Sequence, residues 1–247
     1  IKLNEENEAV RVGGVKYTIK DGIVFDSKLL LKDVREIVRK SKDDLKYEIY
    51  QPGNKNDFLN YPKNLNKDIV TLNAISKKIK IFAPSTKEIY GENIEPQKFD
   101  FGYIGKVMEG KFRENHFNGV ATVVIKLFNL FKPDFVFFGE KDFQQILIIQ
   151  KIIDENFHKT NLIRCETIRN KNGLALSSRN KLLNKKDYEN SNIIYDMLVF
   201  SKINLIKIPY LKIKAHIISE INKVENFKVE YFEIRNEKTL FEIKKNK

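Results

Sequence analysis

Residues 135–180 read FVFFGEKDFQQILIIQKIIDENFHKTNLIRCETIRNKNGLALSSRN, and their order decides the fold. Phe135-Val136-Phe137-Phe138 is an apolar run long enough for a buried strand. Gly139-Glu140-Lys141-Asp142 makes a tight turn, and residues 143–156 follow with helical spacing. A second apolar run, Leu162-Ile163-Arg164-Cys165, is the next strand. A polar loop then ends in Gly173-Leu174-Ala175-Leu176-Ser177-Ser178-Arg179-Asn180. A strand end, a glycine and a helix N-terminus bring free N–H groups and the positive end of the helix dipole to one place, which suits an anion. Lys141 adds a mobile cation there. Ser177, Ser178 and Arg179 are placed to close over the same anion from the second strand's loop.

Working outward, residues 117–131 predict a helix, with Val120, Val123, Val124, Leu127, Phe128 and Leu130 mostly on one side. A short helix is expected near residues 103–109. Residues 79–82 read as a strand and residues 62–78 as a helix opened by Pro62. Residues 47–50 read as a further strand, stopped by Gln51-Pro52-Gly53. Strands alternating with helices predict a parallel α/β sheet. Past residue 184 the alternation ends. Asn184 with Asp187 predicts an N-capped helix to about residue 200. A second helix is expected over 210–224 and a strand over 227–234, a small α+β tail. Residues 1–44 stand apart, with short strands joined at Asp21-Gly22, a hairpin signal, and a helix after Ser27.

The 247 residues allow one large domain or two small ones. A hydrophobic content of 42% fits a soluble protein, and no apolar run is long enough to span a bilayer. Cys165 is the single cysteine, so no internal disulfide forms and a reducing, cytoplasmic setting is expected. The formal charge of +12 is carried mostly by lysines scattered through every segment. No basic block carries interleaved aromatics, so a solvated basic surface is expected and no nucleic acid or membrane partner.

Read by spacing, Lys141 and Gln145 sit four apart and share a helix face, one suited to a phosphate and the other to a polar substrate. The bland reading of the same pair is a solvated first turn. Ser177, Ser178 and Arg179 offer two hydroxyls and a fork of donors to a triphosphate, or form an ordinary loop before a helix. His116 opens an apolar helix, where a histidine is more often structural than catalytic, so no catalytic residue is assigned. His158 and His216 read as surface residues. No Cys/His spacing suggests zinc, and no metal ligand is assigned.

The segments GEKDFQQ (139–145), GLALSSRN (173–180) and EGKFRENHFNGVATVVIK (109–126) together resemble the signatures of the pantothenate synthetase (pantoate–β-alanine ligase) family. The resemblance covers about residues 45–235. It implies a Rossmann-like, nucleotidyltransferase-type parallel sheet over 45–180 and a smaller α+β C-terminal domain over 181–247, with both ends incomplete. It implies that Gly139, Glu140, Lys141 and Asp142 line an ATP site, joined by Ile168 through its backbone and by Leu176, Ser177, Ser178 and Arg179. Gln145 matches a pantoate-binding position. The implied reaction is ATP-dependent condensation of pantoate with β-alanine through a pantoyl-adenylate, with magnesium carried on ATP, in a cytoplasmic homodimer. Where the family usually has Arg-Pro-Gly-His-Phe, this chain has Arg113-Glu114-Asn115-His116-Phe117. The family's His-x-Gly-His loop has no counterpart, since no histidine precedes His116. That departure raises an alternative, a catalytically impaired remnant or a non-catalytic nucleotide-binding module of the same family. Residues 1–44 resemble the tail of an amidohydrolase and are expected to pack apart as an extension.

Overall fold

In a computed structural model of the chain, residues 65–90 and 97–242 are described, with the backbone of four two-residue strands before them. Strands β1 (Lys2–Leu3) and β2 (Ala9–Val10) pair antiparallel, as do β3 (Ile19–Lys20) and β4 (Ile23–Val24). Ile19 faces Val24 and Lys20 faces Ile23, so the two residues between them are the expected Asp21-Gly22. The strand expected at 47–50, the helix after Ser27 and the start at Pro62 lie outside the described residues. So does nearly all of the expected extension over 1–44.

Helices α1 (Leu65–Ile75), α2 (Thr86–Tyr90), α3 (Glu109–Phe112) and α4 (His116–Phe131) precede β5 (Phe135–Gly139). Helix α5 (Phe143–Asn156) then leads into β6 (Asn161–Cys165). Strands β5 and β6 are parallel, in register from Phe135↔Asn161 to Gly139↔Cys165, with α5 as the crossover. At their starts, the Asn161 N–H and the Thr160 hydroxyl donate to the carbonyls of Asp134 (2.8 Å) and Pro133 (2.7 Å). Helix α4 ends where Lys132 turns left-handed and donates its N–H to the Phe128 carbonyl, just before Pro133.

Helical and strand periods meet in one core. Phe117, Ala121, Val124, Phe128 and Phe131 form the inner stripe of α4, and Ile146, Ile149 and Ile153 that of α5. Val136 and Phe138, two apart on β5, are buried between them. A second, smaller cluster gathers Ile213 and Ile217 of α8 (Tyr210–Asn222) with Phe232. Helices α6 (Lys185–Asn190) and α7 (Asn192–Asn204) lead up to it. Among the described residues no helix is long and apolar enough to cross a membrane.

Four expectations are corrected. Residues 79–82 do not form a strand: Phe82 buries its ring edge-on to Phe131 at 5.1 Å, with no ladder partner among the described residues. Residues 227–231 alternate in exposure, but Phe232 is buried out of phase, the segment likewise forms no strand, and an isolated bridge, Arg235↔Glu242, follows. The helix over 184–200 begins as expected, with the Asn184 side chain accepting the Asp187 N–H at 2.8 Å. It is interrupted at Ser191, whose buried hydroxyl donates to the Tyr188 carbonyl at 2.6 Å and competes with the helical ladder. The helix over 103–109 is instead a 3-10 turn, Gly102–Gly105, then α3 from Glu109, separated at Met108 by a positive φ of 49°.

Candidate functional site

Gly139, Glu140, Lys141 and Asp142 lie at the carboxyl end of β5. Gly139 has φ −76° and ψ 132°, a conformation open to any residue, and a Cβ there would meet nothing within 4 Å. Neither backbone nor packing requires a glycine, so its effect is to leave space above the strand end. Glu140, Lys141 and Asp142 form a 3-10 turn ahead of α5. Lys141 therefore stands before the helix rather than on one face of it with Gln145, which corrects the spacing-based reading. Its ammonium pairs with the Asp142 carboxylate at 3.2 Å, both side chains exposed. An exposed pair of this kind is worth about 0–1 kcal/mol, so Lys141 can exchange Asp142 for another anion at small cost.

Gln145 follows, half-buried, in the first turn of α5. Its neighbour Gln144 is buried and does more for the architecture. The Gln144 amide donates to the carbonyls of Ile104 (2.7 Å) and Val107 (2.8 Å), and its oxygen accepts the Glu109 N–H at 3.0 Å. One side chain thus ties the chain between Gly102 and Glu109 to the start of α5. Reading by spacing passed over Gln144, although it continues the buried stripe of Ile148 and Ile152, where a polar residue needs partners.

Beyond β6, residues 168–176 fold back as a small hairpin. The Leu176 N–H donates to the Ile168 carbonyl (2.8 Å), Asn170 N–H to the Leu174 carbonyl (2.9 Å), and Arg169 bridges Ala175. The Ile168 carbonyl keeps a second lone pair, and the side chains of Ile168 and Leu176 are exposed. Gly173, at φ +84°, turns the tip against Tyr195 of α7. Arg169 locks that contact, its guanidinium 4.4 Å over the Tyr195 ring and donating to the Gly173 carbonyl at 3.0 Å. The hairpin delivers Ser177, Ser178 and Arg179. Ser177 caps the 3-10 turn Ser178–Leu182 by accepting the Arg179 N–H at 3.3 Å, which leaves its hydroxyl proton to donate elsewhere. A cleft of about 680 Å³ opens between the hairpin and α7, lined by Arg169, Asn172, Gly173, Asn192, Tyr195 and Asp196. None of Lys141, Ser177, Ser178 or Arg179 lines it.

His116 joins these segments. It opens α4 half-buried, with Arg113 Nη1 3.5 Å from its Nε2. Burial first, then the charges of Arg113 and Arg179, hold its pKa down at about 4, against the opposing pull of Glu109 and Asp142. Asp142 and Arg179 are therefore both near enough to His116 for their charges to act on it. Between the ordinary value of 6.5 and about 4, the unfolded chain binds a proton here that the folded chain refuses. Stability should rise with pH through that window and be lost as pH falls through it. Urea midpoints followed from neutral pH to about pH 4 should fall less steeply for His116→Gln than for the parent. An equally steep acid limb in both would assign the loss to other groups. His158 and His216 are exposed, as expected, with His216 against the Phe200 ring at 4.7 Å.

A family model described as Pantoate-beta-alanine ligase matches residues 48–247. The chain belongs to the pantoate–β-alanine ligase family. It is 45% identical over 193 residues to the pantothenate synthetase of Azobacteroides pseudotrichonymphae, covering 77% of this chain and 68% of that protein. It is 39% identical over 199 residues to that of Christiangramia forsetii, covering 79% and 69%. Among solved structures, the pantothenate synthetase of Thermus thermophilus superposes with a TM-score of 0.72 at 29% identity, covering 78% of this chain and 70% of that one. The pantoate-beta-alanine ligase of Francisella tularensis, complexed with beta-gamma ATP and beta-alanine, superposes at 0.58 with 34% identity, covering 76% and 72%. These neighbours carry the expected nucleotidyltransferase-like α/β fold. The matched span begins at residue 48, so the amidohydrolase resemblance of residues 1–44 draws no support from it.

Within the ligase family's Arg-Pro-Gly-His-Phe pattern, the change of glycine to Asn115 has a local explanation. Asn115 adopts φ 57°, the left-handed conformation that asparagine tolerates best after glycine. His116 thus enters α4 through a turn of the kind the family's glycine permits.

Proposed function

We propose that this chain condenses pantoate with β-alanine in an ATP-dependent reaction, forming pantothenate through a pantoyl-adenylate. The observation that carries the proposal is the space kept open at Gly139, with Lys141 beside it, at the sheet end from which the chain runs on to Ser177, Ser178 and Arg179. The relatives and the ATP-complexed neighbour favour this reading over a non-catalytic module.

In this reading the nucleotide lies over Gly139, its adenine edge against the backbone at Ile168 and beside Leu176. Glu140 and Asp142 complete the turn around it. A pantoate carboxylate oxygen attacks the α-phosphorus and the bond to pyrophosphate breaks. Negative charge gathers on the leaving group, where Lys141, Arg179 and the hydroxyls of Ser177 and Ser178 meet it with donors already in place. Gln145 holds pantoate in line with the α-phosphate. The amine of β-alanine then attacks the acyl carbon, and AMP leaves with the bonding pair. Magnesium enters on the phosphates of ATP. A division into a nucleotide-binding unit over 45–180 and a smaller unit over 181–247 goes with this reading, supported by the two separate buried clusters. A cytoplasmic homodimer completes it.

Lys141→Ala tests the proposal. A charged hydrogen bond to phosphate contributes about 1.5–3 kcal/mol, so calorimetry should show ATP binding about tenfold to a hundredfold weaker than in the parent. Equal affinity would remove Lys141 from the site, and a parent that releases no pyrophosphate with all three substrates would remove the reaction.

A further inference from the structure

Two side chains from the C-terminal segment reach the chain around α3. Arg235, nearly buried, pairs with Glu233 at 2.8 Å and donates to the Tyr103 hydroxyl at 2.9 Å. Tyr231 stacks flat on Phe112, ring centres 4.8 Å apart and planes within 3°, and its hydroxyl donates to Glu109 Oε1 at 2.6 Å. The other oxygen of Glu109 lies 3.6 Å from Arg113, and Arg113 reaches His116 at 3.5 Å. We propose that Tyr231 is a positioning residue: its hydroxyl fixes Glu109, Glu109 fixes Arg113, and Arg113 sets His116 at the rim of the phosphate-facing site. The proposal rests on the ligase reading above.

The geometry separates packing from positioning. The stack on Phe112 already covers one face of the Tyr231 ring, so the hydroxyl is not needed to hold the segment down. A short O–H···O⁻ bond is strong and directional, and here it fixes which carboxylate oxygen faces Arg113. Arg113 is shared between Glu109 and His116. Once Glu109 can rotate, the guanidinium loses its fixed place, and His116 loses the partner that holds its Nε2. The docking of the C-terminal segment is in this way transmitted to the site through four side chains in sequence.

The experiment uses Tyr231→Phe in the full chain, which keeps the stack and removes only the hydroxyl. Pantothenate synthesis should show kcat lowered about tenfold to a hundredfold, the range of a misplaced group, with KM for ATP within about twofold. NMR should show the ring resonances of His116 displaced, while those of His158 and His216 stay in place and report an intact fold. Glu109→Gln should displace His116 similarly, and the double variant should be no worse than the worse single, since both act through one path. An unmoved His116 overturns the proposal, as does unchanged turnover, or single effects that add. Loss of pantothenate synthesis in the parent itself would instead end the ligase reading. The histidine resonances then decide the coupling by themselves: His116 displaced without the other two upholds it, and His116 unmoved overturns it.

Discussion

Gln144→Leu should destabilise the chain by about 3–5 kcal/mol, because it strands three backbone groups at once. Leucine nearly matches glutamine in size, so the substitution tests hydrogen bonding rather than volume. The side chain is 4% exposed, and water cannot readily replace it. The carbonyls of Ile104 and Val107 and the N–H of Glu109 each lose a partner. A buried group left unmade costs about 1–3 kcal/mol, and the sum is reduced because the freed loop can shift towards solvent. Urea unfolding at unchanged m-value is the measurement. Amide exchange between Gly102 and Glu109 should quicken in the same variant. A loss below about 1 kcal/mol would mean that those groups find other partners.

Gly173→Ala should cost about 2–4 kcal/mol and loosen the delivery of Ser177, Ser178 and Arg179. An added Cβ would lie 2.3 Å from Tyr195 Cδ1 and 2.8 Å from Cγ, distances that require movement. The ring has little freedom to yield, because Arg169 lies over it and also holds the Gly173 carbonyl. The positive φ adds about 1–2 kcal/mol for any residue with a Cβ. Combining the change with Tyr195→Ala should recover the packing part and leave the conformational part, so the two substitutions should couple. Strict additivity would show that the ring and the hairpin tip do not meet in solution.

Elements whose cause lies within a few residues were legible in the sequence. The α5 stripe, the β5 run and the Asn184 cap all emerge near their expected bounds, because period and capping are local properties. Residues 79–82 and 227–234 misled for the same reason in reverse. Their composition suits a strand, but a strand also needs a neighbour, and sequence pattern carries no record of one. Ser191 breaks a helix through a single hydroxyl bond that composition does not announce. At the site, Lys141, Ser177 and Arg179 stood out as charge and hydroxyl near a glycine. Gln144, Glu109 and Tyr231 did not, since their partners lie 35 to 122 residues away.

The buried residues fall into two clusters, and the regions around them meet through a few side chains: Tyr231 with Glu109 and Phe112, Arg235 with Tyr103, and Arg169 and Gly173 with Tyr195. Apolar burial supplies cooperativity within each cluster but little between them. A single all-or-none transition, in which one midpoint converts to one free energy, therefore depends on those few contacts. Amide exchange in the β5–α5–β6 unit and in α8 reads the two clusters separately, joined through those contacts.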